Sequence, residues 1–140
     1  MNLWSGSREG DGLAAALTNP TEISRRKGTI ARPYRVLFRG RVYADAEAAY
    51  LSLRRRDDLP GSDELMVAIV RAKLAQHPEL GEAIRQRGGV AWIGRCQHFT
   101  WAQSDRFRAW EGHGLRSRFL RNLAAAYAAW VADPSVETDA

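Results

Sequence analysis

The chain has 140 residues, 45% of them hydrophobic and 26% charged, and carries a formal net charge of +5. This size and composition fit one globular domain with its own core, and the chain lacks the run of about 18 apolar residues that a membrane span needs. Cys96 is the only cysteine and the N-terminus lacks a secretory-signal pattern, so we expect a soluble cytoplasmic protein without disulfides. We predict a single domain over residues 1–132 and a polar tail over residues 133–140.

The first 33 residues show no sustained hydrophobic periodicity. Leu3 and Trp4 favour a short strand, and residues 13–17 favour one helical turn that ends at the breaker formed by residues 18–20. The basic run over residues 24–28 favours an exposed loop. A loop of this length in a compact domain favours a functional role.

A hairpin followed by a helix is predicted next. Residues 34–38 favour a strand, Arg39 and Gly40 a turn, and residues 41–43 a partner strand. Asp45 is then placed to cap a helix that runs to about Arg56. The apolar stripe of this helix consists of Ala46, Ala49, Tyr50 and Leu53.

Three further helices follow. Residues 57–61 end the Asp45 helix, and Ser62 is expected to cap the next one. Pro78 begins a short helix that residues 88–89 end, and a last helix is predicted from about residue 115 to residue 131. The inward stripes of the first and last of these helices are Leu65, Met66, Ile69, Val70 and Leu74, and Leu115, Phe119, Leu123, Tyr127 and Trp130. The predicted fold class is α+β, mostly helical: a compact single domain with a small β hairpin.

Glu47 is the first candidate for chemistry. It lies in the opening turn of the Asp45 helix, where the helix dipole stabilises an ionised carboxylate. An ionised carboxylate beside a buried stripe suits a nucleophile or a base that activates water. The alternative is simple charge complementarity at the start of a helix.

Residues 94–114 form an irregular region that combines acids, glycines and aromatic side chains. Asp105 supplies a second carboxylate, and Trp110 is suited to stacking on a base, a nicotinamide or a flavin-like ring. The alternative is a tryptophan that fills the core.

Arg116 and Arg118 lie at the predicted start of the last helix. Cations are unfavourable at the positive end of a helix dipole, and an anion bound near Gly112 and Gly114 would resolve this conflict. The alternative is a pair of solvent-facing arginines. Because arginine carries most of the positive charge of the chain, we expect an anionic small molecule or a nucleic acid as partner.

Metal and cofactor signatures are missing from the sequence. The three histidines and Cys96 do not have zinc-ligand spacing, and no Walker, dinucleotide-binding or Gly-x-Ser-x-Gly motif occurs. We therefore expect neither a metal nor a cofactor.

Five segments of the chain follow one another in a recognisable order. They are Leu17-Thr18-Asn19-Pro20, Gly40-Arg41-Val42-Tyr43, the helix opening Glu47-Ala48-Ala49-Tyr50-Leu51-Ser52-Leu53-Arg54, Lys73 with His77-Pro78-Glu79-Leu80, and Asp105 with Trp110-Glu111-Gly112 and the Leu115 helix. In this order they resemble the NADAR family of YbiA-like N-glycosidases, and the likeness covers roughly residues 13–127. Ala48, Leu51 and Arg54 replace the histidine, glutamine and lysine of the family pattern.

The resemblance implies hydrolysis of the bond between a ribose C1 and a nitrogen. The implied partner is a phosphorylated ribosyl or ADP-ribosyl small molecule, or an ADP-ribosylated nucleic acid. The implied site residues are Glu47 and Asp105 as catalytic acids, with Asn19, Tyr50, Arg54, Trp110 and Arg116 binding the substrate.

Two other functions remain open from the sequence. The first is a non-catalytic module that binds ADP-ribose or a related nucleotide, which the histidine replaced at Ala48 favours. The second is a nucleic-acid-binding domain, which requires a contiguous basic face, whereas the arginines of this chain are dispersed.

Overall fold

The structure is a computed structural model that describes residues 1–54, 59–101 and 104–134. The fold is α+β and mostly helical, as predicted. In chain order the elements are α1 (Leu13–Ala16), α2 (Thr21–Arg26), β1 (Val36–Phe38), β2 (Arg41–Tyr43), α3 (Ala46–Leu53), α4 (Leu59–Gln76), α5 (Pro78–Arg87), α6 (Val90–Ile93), β3 (Gln97–His98), α7 (Asp105–Arg108), β4 (Gly112–His113), a 3₁₀ turn (Gly114–Arg116) and α8 (Arg118–Ala132).

The predicted hairpin is confirmed as the antiparallel pair β1–β2. Val36 lies opposite Tyr43, and Arg39 and Gly40 form the two-residue turn with φ angles of 50° and 77°. Two consecutive left-handed residues match the twist of a hairpin, and glycine adopts this conformation without a steric penalty.

A second antiparallel pair joins β3 to β4 inside the region that was predicted to be irregular. Gln97 lies opposite His113, and a parallel bridge connects Asn2 to Gln97. The predicted strand at Leu3 and Trp4 is therefore wrong, because only this bridge forms there. These pairings join chain segments far apart in sequence, and strands of two residues carry no readable alternation.

The predicted basic loop is also wrong, because residues 21–26 form helix α2. Ser24 is buried, and its hydroxyl donates a 2.8 Å hydrogen bond to the carbonyl of Ser5. On the exposed side, Glu22 forms ion pairs with Arg25 and Arg26 at helical spacing. These pairs stabilise a helix that composition alone disfavours.

The boundaries of α3 and α4 differ from the prediction. Helix α3 ends at Leu53, whereas Arg56 and residues 57–58 lie outside the described residues. Helix α4 begins at Leu59, so Ser62 lies within its first turns and is not its cap. Pro60 is the second residue of α4. Proline is tolerated in the first turn of a helix, because its missing N–H would have no intrahelical acceptor there.

The core is centred on the contact between α4 and α8. The predicted stripe of α4 is confirmed for Met66, Ile69, Val70 and Leu74, which are buried, whereas Leu65 is partly buried against the core. The stripe of α8 is confirmed for Phe119, Leu123, Tyr127 and Trp130.

In the described part of the chain, no helix combines the length and apolar character needed to cross a membrane.

The start of the last helix was predicted too early. The Ser117 side chain accepts a 3.1 Å hydrogen bond from the Leu120 amide, so α8 begins at Arg118. Leu115, predicted to be in the core, belongs to the preceding 3₁₀ turn and is 46% exposed.

Candidate functional site

A cleft of about 350 Å³ lies where the α1–α2 segment, α3 and the loops between β3 and α8 meet. Five of the seven predicted site residues line it: Asn19, Glu47, Tyr50, Arg54 and Trp110. The other lining residues differ in burial. The buried ones, Thr18, Met66, His98 and Phe119, together with Asn19 form what we call the floor. The exposed apolar ones, which we call the rim, are Ile23, Leu51 and Phe107.

The position of Glu47 depends on the buried carboxylate of Asp45. One oxygen of Asp45 accepts a 2.8 Å hydrogen bond from the Ala48 amide, as the predicted cap requires, and the other accepts a 3.0 Å bond from the Glu22 amide. The amide of Glu47 donates to the carbonyl of Asn19 at 3.3 Å. Asp45 thereby ties the beginnings of α2 and α3 together, and Glu47 lies in the first turn of α3, at the positive end of the helix dipole.

Asn19 carries an unsatisfied polar atom on the floor. Its side-chain nitrogen is 3.5 Å from the sulfur of Met66, which can only accept, so this contact orients the amide. The oxygen Oδ1 is buried and has no hydrogen-bond partner among the described residues. An unpaired buried acceptor costs about 1–3 kcal/mol, which a ligand with a donor group would recover.

Tyr50 and Trp110 form one wall of the cleft. Their rings meet edge to face, with centroids 5.8 Å apart and an interplanar angle of 84°. Arg118 covers one face of Trp110, with its guanidinium carbon 4.0 Å from the ring centroid. A ligand can therefore stack only on the part of Trp110 that Arg118 leaves uncovered.

Arg118 is not in conflict with the helix dipole, contrary to the prediction. Its guanidinium donates to Asp63 at 2.6 Å and to the hydroxyl of Ser62 at 2.8 Å. Partial burial of Asp63 acts to raise the pKa of its carboxyl, but the hydrogen bonds from Arg118 and Asn122 outweigh this effect and the pKa is lowered. Because the charge of Arg118 is neutralised by α4, no bound anion is needed to explain an arginine at this helix start.

Asp105 and Arg116 are not brought to the cleft. The Asp105 side chain is 95% exposed and forms an ion pair with Arg108 on the outer side of α7. Arg116 is exposed and lines a separate shallow depression beside residues 94–97. Of the predicted acids only Glu47 lines the cleft, whereas the region around Asp105 contributes Phe107 and Trp110.

His98 is a cleft residue to which sequence reasoning gave no role. Its Nδ1 is 2.6 Å from the carbonyl oxygen of Leu3, and its ring packs on Phe119 with centroids 4.3 Å apart. Burial lowers the pKa of His98, partly offset by the Leu3 carbonyl and by the charge of Glu111. A lone histidine in an irregular segment has no sequence pattern that could have identified it.

Lys73 is a second residue without an assigned role. It is fully buried, and burial lowers its pKa from the ordinary 10.5 to about 7, although the charge of Asp45 acts in the opposite direction. Its spacing of three and four residues from Val70 and Ile69 put it on the inward stripe of α4, and this signal could have identified it.

Comparison of the chain with protein-family models, curated proteins and solved structures finds no significant match. The resemblance to the NADAR family therefore depends on the ordered segments of this sequence. Within the described residues, no group of three or more His, Cys, Asp or Glu side chains is arranged to hold a metal ion.

Proposed function

We propose that this protein is an N-glycosidase that hydrolyses the bond between a ribose C1 and a nitrogen in a phosphorylated ribosyl or ADP-ribosyl compound. The observation that carries the proposal is the convergence of Asn19, Glu47, Tyr50, Arg54 and Trp110 on one cleft. These residues come from three separate segments of the chain, and the sequence alone indicates each of them as a site residue.

The chemistry of the cleft suits this reaction. A ribosyl–nitrogen bond breaks through a transition state with positive charge at C1 and the ring oxygen, which a nearby carboxylate stabilises. Glu47 supplies that charge from the first turn of α3. Tyr50 and Trp110 offer aromatic surface for a base, and Arg54 offers a cation for a phosphate.

A second candidate function is a binding module without activity. The observation that favours it is the position of Asp105 outside the cleft, which leaves Glu47 as the one carboxylate among the described lining residues. Glycosidases typically use two carboxyl groups, one as an acid or base and one as a nucleophile or water activator. A cleft with one carboxylate can still bind ADP-ribose or a related nucleotide.

Release of the base distinguishes the two functions. The purified protein is incubated with ribosyl phosphates and ADP-ribosylated nucleosides, and the released base is separated by chromatography. We expect Glu47→Gln to reduce the rate by a factor on the order of 10²–10³. Ground-state binding should change much less, because the lost charge acts mainly when the bond breaks.

The matched control is Glu64→Gln, which removes an exposed carboxylate of α4 that does not line the cleft. This variant should retain the rate of the wild type. If the wild type binds ADP-ribose but releases no base from any compound, the binding module is the correct function. If Glu47→Gln is as fast as the wild type, Glu47 is not catalytic, and the glycosidase loses the one carboxylate among the described lining residues.

A further inference from the structure

The floor of the cleft contains a histidine whose tautomer is determined by its neighbour. The carbonyl oxygen of Leu3 can only accept a hydrogen bond, so the Nδ1 atom of His98, 2.6 Å away, must donate one. In the neutral ring that burial favours, the proton is then on Nδ1 and the lone pair is on Nε2. His98, which lines the cleft, therefore carries an acceptor at Nε2.

Asn19 offers a second acceptor on the same floor. Its nitrogen faces the sulfur of Met66, and its buried oxygen Oδ1 has no partner among the described residues. Asn19 is 6% exposed and His98 is 9% exposed, so bulk water has little access to either side chain. The free energy lost by burying Oδ1 without a partner is recovered only by a ligand group that donates a hydrogen bond.

The chemistry of these acceptors restricts which part of a ligand can reach the floor. Phosphate oxygens are acceptors and carry negative charge, so Oδ1 of Asn19 and the carboxylate of Glu47 would repel them. Ribose hydroxyls donate, and each hydroxyl can give its proton to one acceptor. The apolar rim, which includes Leu51 and Phe107, suits the flat face of a base.

We propose that Asn19 and His98 form a ribose-hydroxyl subsite, which orients the sugar inward and selects ligands whose 2′ and 3′ hydroxyls are both free. This inference rests on the proposed function, because it takes the ligand to be a ribosyl compound. The subsite excludes ribosyl compounds that lack the 2′ hydroxyl or carry a phosphate on the 2′ or 3′ oxygen.

The test compares two sugar phosphates that differ by one hydroxyl. Binding of ribose 5-phosphate and of 2-deoxyribose 5-phosphate is measured by titration calorimetry with the full chain. We expect the wild type to bind the ribose compound at least about 10-fold more tightly, since one buried acceptor would otherwise stay unpaired. Equal affinities, or no binding of either compound, would overturn the subsite.

Variants identify the residues responsible for the discrimination. His98→Phe keeps an aromatic ring against Phe119 and removes Nε2, and it should bring the ratio of the two affinities close to one. His98→Gln retains an acceptor and should preserve part of the ratio. Asn19→Leu removes the second acceptor and keeps the side-chain volume. A ratio unchanged in both His98→Phe and Asn19→Leu would show that the hydroxyl is recognised elsewhere.

The ratio of affinities separates recognition from folding, because loss of folded protein reduces binding of both sugars equally. The outcome also separates this inference from the proposed function. A protein that releases base but does not discriminate between the two sugars refutes the subsite and retains the glycosidase. A protein that discriminates but releases no base retains the subsite and refutes the glycosidase.

Discussion

The ammonium group of Lys73 donates a 2.7 Å hydrogen bond to the carbonyl oxygen of Thr18, the residue directly before Asn19. It donates a second bond, 2.6 Å long, to the carbonyl of Ala16 at the end of α1. These carbonyls have no partner within the short helix, and the buried lysine satisfies them. Lys73 thus fixes the chain segment that presents Asn19 to the cleft, although Lys73 does not line the cleft itself.

Burial of Lys73 predicts that the protein becomes more stable as the pH rises above neutrality. The pKa of Lys73 is about 7 in the folded protein, against an ordinary value of 10.5. Between these values the unfolded chain binds a proton that the folded protein does not, so the free energy of unfolding increases with pH. The cost of the buried charge is fully present below pH 7 and disappears towards pH 10.5.

Urea denaturation at pH 7, 8 and 9 measures this effect. The unfolding free energy of the wild type should rise relative to that of Lys73→Met by up to about 1.4 kcal/mol per pH unit. The control is Lys27→Met, which replaces an exposed lysine and should leave the pH dependence unchanged. Parallel curves for the wild type and Lys73→Met would mean that the lysine keeps an ordinary pKa in the folded state.

Arg54 and Arg116 provide a test of where a phosphate binds. Arg54 lines the cleft, whereas Arg116, which the sequence predicted to hold the phosphate, lies beside a different depression. We expect Arg54→Gln to weaken binding of ribose 5-phosphate by about 10-fold or more, because a charge-assisted hydrogen bond is lost. Arg116→Gln should bind with the affinity of the wild type. Calorimetric titration of both variants decides, and the reverse ranking would restore the prediction made from the sequence.

Arg118 is expected to hold the ring of Trp110 in its position at the cleft. Arg118→Met removes the cation from the face of Trp110 and the hydrogen bonds that the guanidinium donates to Asp63 and Ser62. The free energy of unfolding should fall by about 1–2 kcal/mol, and ligand affinity should also fall because Trp110 loses the group that orients its ring.

Arg118→Lys keeps the positive charge but not the planar guanidinium that donates to both Asp63 and Ser62. Its losses of stability and of ligand affinity should therefore be intermediate. A suitable control is Arg85→Met, which breaks an exposed ion pair with Glu82 outside the cleft. Denaturation and ligand titration of the three variants measure the two effects separately. Full ligand affinity in Arg118→Met would show that Trp110 keeps its position without the guanidinium.

Gly81 is expected to be intolerant of a side chain. A Cβ atom at this position of α5 would lie 2.5 Å from the indole ring of Trp130, which is buried on α8. Gly81→Ala should lower the free energy of unfolding by about 1–3 kcal/mol through overpacking, despite the higher helix propensity of alanine. Gly94→Ala is the matched control, since its Cβ would make only ordinary contacts of 3.5 Å or more. Equal stability of the two variants would mean that Trp130 moves aside at little cost.

The sequence by itself determined the elements whose signals are local. Asp45 caps α3, the Arg39–Gly40 turn closes the first hairpin, and Gly88 ends α5 where predicted. In each case the residues that decide the structure lie within four positions of one another, so the pattern is visible in the chain. The same applies to Glu47, whose place in a first helical turn follows from its distance to the cap.

The tertiary structure alone decided which side chains share the cleft, how exposed they are and which hydrogen bonds they form. Lys73 and Thr18, His98 and Leu3, and Arg118 and Asp63 are each separated by 55 or more residues. Their contacts depend on how helices and loops pack, and packing reflects the whole core. For this reason the prediction from the sequence, which rested on the family resemblance for Asp105 and on a position near a helix start for Arg116, placed both residues in the site. The fold turned both away from the cleft and brought in His98, because exposure and hydrogen-bond geometry are properties of the packed chain.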